Sequence, residues 1–68
     1  MKPSIGRIVH FVDPDGIHLA AIITGVLDVH HVHLTVFPAN AGGPFDEQNI
    51  DYDDRKVADS WHWPEREE

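Results

Sequence analysis

Six histidines and two tryptophans carry most of the chemistry that this 68-residue chain offers. His30, His31 and His33 cluster in "HHVHLTVFP", while His10, His18 and His62 lie apart from them. On an extended strand His31 and His33 point to one face, so both can reach a single metal ion if His18, Asp28 or His62 supplies a third ligand. Their spacing matches no established zinc signature, and no helical HExxH motif occurs. A solvated strand face is therefore the preferred reading, with His31 and His33 kept only as weak metal candidates and no cofactor expected. Because histidine titrates near neutrality and this cluster precedes an acidic segment, protonation-dependent behaviour is a further expectation.

The other reactive residues sit near the two ends of the chain. In "SWHWPEREE", an extended backbone places Trp61 and Trp63 on one face and His62 on the other. The rings can stack a planar ligand, or they can complete an undersized core, since each buries on the order of 200 Å². The expectation is divided: one ring anchors the fold and the other lines a pocket or a subunit interface. Arg7 lies among apolar neighbours, where it can pair with a carboxylate or hold a phosphate in bidentate fashion. "AGGP" lacks the Lys-Ser/Thr that follows a phosphate loop, but the amides of Gly42 and Gly43 can cradle a small anion. The expected ligand-binding set is thus Trp61, Trp63, Arg7, His62, Gly42 and Gly43. No catalytic residue is expected: Ser4 and Ser60 are the only serines, and Ser60 beside His62 on one strand has no triad geometry. The carboxylates around "DYDD" depart from the spacing of a calcium loop and read as a solvated acidic loop.

Strands must position these groups. "IGRIVHFV" is rich in β-branched residues, and "DPDG" at Asp13–Gly16 reads as a tight turn into the apolar run from Ile17. In that run Gly25 is the expected bend or bulge. Val32, Leu34 and Val36 alternate with His31, His33 and Thr35, and a turn is expected near Asp28–His30. After Phe45 no sustained period is visible, so a short strand followed by an ordered loop is expected there, with "WHWP" as a final strand. The sum is an all-β chain: a small, antiparallel, partly open barrel of four to five strands, SH3-like or OB-like. One domain over residues 1–64 and an acidic flexible tail over 65–68 are expected.

Size and charge bound the function. A domain this small buries only about 60% of its unfolded surface. With no cysteine to form disulfides, self-association is the expected support. The net charge is −7. Residues 1–45 hold two basic and three acidic side chains, and residues 46–68 hold three basic and nine acidic ones. Such a field repels a nucleic-acid polymer, whose binding relies on clusters of Lys and Arg. No apolar run approaches the roughly 18 residues of a membrane span, so no membrane partner is expected and the cytoplasm is the expected location.

Three blocks, "GRIVHF", "AAIIT" and "WHWPE", together with "VHLTVFPANAG" from Val32 to Gly42, resemble a family of small proteins encoded by actinobacteria and by phages that infect them. The resemblance covers most of the chain, is most specific at "WHWPE" and is weakest after Phe45. It implies a compact β-fold, a phage or prophage origin and a host-cell cytoplasm, and it transfers no activity. By analogy with small phage proteins that sequester nucleotide signals of bacterial immunity, the expected function is non-enzymatic: a self-associating barrel that captures a small, nucleotide-like ligand. The alternatives are a protein–protein adaptor that uses its acidic loop and, less favoured, a histidine-dependent metal enzyme.

Overall fold

The computed structural model describes residues 2–39 and 42–64. The tail expected at 65–68 lies outside the described residues. Five strands follow in chain order: β1 (Ile8–Val12), β2 (His18–Val26), β3 (His31–Phe37), β4 (Phe45–Tyr52) and β5 (Ser60–His62). Each pairs with the next, and β5 pairs back onto β1. The expected small all-β barrel is therefore formed. Strand order that simply follows the chain is the SH3-like arrangement rather than the Greek key of an OB barrel. No helix among the described residues is long and apolar enough to cross a membrane.

Two details differ from a partly open antiparallel barrel. The ladder closes, and its β4–β5 pairing is parallel, limited to Asp51 opposite Ser60 and Tyr52 opposite Trp61. Lys56 and Asp59 adopt positive φ between these strands, which lets a short connection bring the chain back alongside β4. The Asp59 amide then donates to the Val12 carbonyl at 2.7 Å, docking β5 onto β1.

Local sequence explains the remaining joints. At the β1–β2 turn, Asp13 Oδ1 accepts from the amides of Asp15 and Ile17, each at 2.9 Å, and Gly16 takes φ +82°. At Gly25 the β2–β3 register shifts, as expected of a bulge. A Cβ there would meet His33 Cδ2 at 2.9 Å, so the His33 ring needs a residue without a side chain.

β4 is longer than the short strand expected around Phe45, because the segment expected as a loop also pairs with β3. A bulge hides it: two steps along β3, from Val32 to Leu34, match three along β4, from Ile50 to Glu47. Asn49 adopts φ 56° and donates its amide to His33 Nδ1 at 3.1 Å, so the irregular backbone keeps a partner. The extra residue switches the inward phase within the strand, which erases the period-2 signal.

Inward phases of all five strands fill the barrel: Val9 and Phe11, Ala21 and Ile23, Val32, Leu34 and Val36, Ile50, and Trp61. Leu19, Tyr52 and Trp63 pack against this cluster while remaining partly open to solvent.

Candidate functional site

Closing the barrel with β5 separates the two tryptophans. Trp61 is inward and 1% exposed, and its Nε1–H donates to the His30 carbonyl at 2.9 Å. The same carbonyl accepts the Tyr52 amide at 2.8 Å, tying the β2–β3 turn to β4 and β5. Trp63 lies past the end of β5, half-buried, edge-on to Trp61 with centroids 5.3 Å apart. Tyr52 also meets Trp61 edge-on at 5.0 Å, and His30 stacks near Tyr52 at 6.3 Å and 24°. Val29, His30, Tyr52, Trp61 and Trp63 line an open cleft of about 250 Å³. The Arg7 guanidinium stands over the Trp63 ring, 5.4 Å from its centroid.

Three of the six expected ligand residues, Trp61, Trp63 and Arg7, therefore meet here, with Trp61 as floor and anchor. The other three are not brought to the cleft. His62 alternates away from Trp61 to the outer face of the barrel, where it is 2% exposed. Gly42 and Gly43 sit in the β3–β4 loop, next to the Val36–Phe45 end of that hairpin, whereas the cleft lies at its His31–Asp51 end. His30, Tyr52 and Val29 belong to the cleft and were missed. Val29 and His30 fall in the turn expected near Asp28–His30, whereas Tyr52 lies in the segment expected as a loop and ends β4 instead.

The histidines sort in a way the sequence did not suggest. His31 Nδ1–H donates to both carboxylate oxygens of Asp28 at 3.0 Å, and His31 Nε2 lies 3.5 Å from Asp51. His33 Nδ1 is taken by the Asn49 amide. Each of these rings serves its own neighbours, and the two do not converge as metal ligands. The residues that do converge are His10, His18 and His62, whose ligand nitrogens all lie within 4.8 Å of one another. Strand register brings them together: His10 on β1 is opposite both Ala20 on β2 and His62 on β5. His18 lies one outward position along, opposite Val12. Sequence separation concealed the group, although all three occupy the outward phase of strands that pair.

Electrostatics sharpens the β2–β3 turn. Asp28 also accepts the backbone amides of His30 and His31, and these bonds together with the His31 side chain hold its carboxyl down at about 2. The same hydrogen bond to Asp28 raises His31 above its ordinary value, with weaker help from the charge of Asp51. In the acidic loop Arg55 grips Asp53 bidentately, through Nη2 at 2.8 Å and Nε at 3.0 Å, which lowers the Asp53 carboxyl. The Ser60 hydroxyl donates to the Val57 carbonyl and is buried, so it serves the loop.

No family model, curated protein or solved structure matches this chain.

Proposed function

We propose that this protein is a non-enzymatic binding module, a small barrel that self-associates and captures a planar, nucleotide-like ligand at the Tyr52–Trp63 cleft. The observation that carries this reading is the environment of Trp63. Trp61 occupies β5's place in the barrel interior, while Trp63 is left half-buried at a cleft with a guanidinium over its ring. A base that stacks on such a ring gains roughly 1–3 kcal/mol. Arg7, displaced by the base, is within reach of an attached anionic group and can bind it through its planar fork. The protein's negative charge opposes polyanions, so a ligand with few phosphates fits better than a polymer.

Self-association is supported by the apolar residues beside the cleft. Leu27 and Val29, at the β2–β3 turn, are 51% and 57% exposed, and Val29 forms part of the cleft wall. A second copy covering this turn would deepen the cleft and shield the stacked ligand. The resemblance to phage-encoded proteins gives the setting: a host cytoplasm in which holding a nucleotide signal removes it from its receptor.

Native mass spectrometry of gently purified protein, set against the denatured mass, tests the proposal. An oligomer that retains a nucleotide-sized mass, and loses it in a folded Trp63→Ala variant, supports capture at the cleft. A bare monomer whose tryptophan fluorescence ignores a panel of mono- and dinucleotides rejects it, and leaves the acidic loop as an adaptor surface for a basic protein.

A further inference from the structure

We propose that His10, His18 and His62 form a three-histidine site for one divalent transition-metal ion of the zinc class, bridging β1, β2 and β5 on the outer face of the barrel. Three observations converge on it. The ligand nitrogens lie within 4.8 Å of one another. In a tetrahedral site with metal–nitrogen distances of about 2.0–2.1 Å, nitrogens sit roughly 3.4 Å apart, so the set needs to tighten by no more than about 1.4 Å. Small side-chain rotations supply that movement. The rings already face one another, with centroids 4.9 Å apart for His18–His62, 5.3 Å for His10–His62 and 6.3 Å for His10–His18. Finally, His10 Nδ1 is buried without a hydrogen-bond partner.

The simpler account is three rings packed at tilted and edge-to-face angles beside Val12, which is opposite His18, points outward and yet is fully buried. That account explains Val12 but leaves the His10 nitrogen desolvated and unbonded, which folded proteins avoid. A metal ion removes the conflict. Imidazole nitrogens favour zinc and its neighbours over magnesium or calcium, which prefer oxygen. Three neutral ligands leave the ion its full positive charge, which suits a protein of net charge −7. Because His18 is exposed, the fourth position opens to water. The ion would cross-link β5, only three residues long, to both β1 and β2. That is the kind of staple a small scaffold without disulfides can use.

Calorimetric titration of the EDTA-treated full chain with zinc chloride, together with Co²⁺ absorption spectra, tests the site. The expected result is one ion per chain, the visible bands of tetrahedral Co²⁺, and a zinc-dependent rise in the unfolding midpoint. His18→Ala, at an exposed position, should stay folded and weaken binding at least about tenfold, given that even indirect partners of metal ligands cost 10–100-fold. His10→Gln should do the same, and His31→Ala should bind as the unaltered chain does. Absence of zinc binding overturns the proposal. So does unchanged affinity in His18→Ala, or loss of binding in His31→Ala. None of these results bears on the aromatic cleft, which shares no residue with the site.

Discussion

Trp61→Ala should remove much or all of the protein's stability, whereas Trp63→Ala should not. The Trp61 ring is 1% exposed at the centre of the barrel end where β5 closes, and truncating a core Trp costs about 3–5 kcal/mol. Its indole–carbonyl bond adds about 1 kcal/mol. That addition stays small because the His30 carbonyl keeps the Tyr52 amide and is not orphaned. At about 0.05–0.15 kcal/mol per residue, a 68-residue chain has only about 3–10 kcal/mol in total. The loss therefore consumes much or all of the stability. Trp63 is only half-buried, and its edge contact with Trp61 is worth about 0.5–1.5 kcal/mol. Trp61→Phe keeps most of the packing and isolates the indole bond. Urea unfolding followed by far-ultraviolet circular dichroism separates the three variants. With a slope near 1 kcal/mol per molar urea for so small a domain, loss of that bond in Trp61→Phe should shift the midpoint by about 1 M. Equal losses for Trp61→Ala and Trp63→Ala would falsify this division between anchor and cleft.

Two further outcomes follow from the joints of the barrel. The Asp28 carboxyl titrates at about 2 instead of 3.8, so its contribution is full above the ordinary carboxylate range and disappears as pH falls from there through about 2. His31 runs the other way: its pKa is raised, so its contribution is full below 6.5 and is lost as pH rises through the folded value. Histidine chemical shifts followed by NMR should show His31 titrating above 6.5 and moving back toward it in Asp28→Asn. A His31 midpoint at or below 6.5 in the unaltered chain contradicts the pairing. Gly25→Ala should cost about 1–3 kcal/mol by overpacking, because the His33 ring it meets is held by the Asn49 amide and cannot swing aside freely. Combining it with His33→Ala in a thermal-unfolding cycle should give a clear coupling energy, and additive effects count against the contact.

The first three strands were legible because β1 and β2 are rich in β-branched residues, "DPDG" marks the turn between them, Gly25 signals the bulge in β2, and Val32, Leu34 and Val36 alternate cleanly in β3. β4 was not legible, since the extra residue at its bulge moves Ile50 and Glu47 out of a common alternation and its outward face is acidic. Of the cleft, Arg7 and the tryptophans could be named from type and position. Which ring faces inward depends on the β1–β5 register, which sets Phe11 opposite Trp61. The histidine group illustrates the same limit. His30, His31 and His33 draw the eye because they are adjacent in the chain. His10 and His62 become neighbours only when the barrel closes, and a single sequence does not display closure.

That closure has a topological consequence. β5 is the last strand in chain order, and it meets β1 across about fifty residues of chain, the pairing with the largest loop-closure cost. Until Ser60–His62 dock, β1 and β4 each present a row of unpaired amides and carbonyls to solvent. A three-residue segment thus decides whether the molecule has two open sheet edges or none. Displacing it creates a slot that the equivalent strand of another copy fits equally well, one side parallel and the other antiparallel. The shortest element of the fold is the one that keeps these chains from exchanging strands.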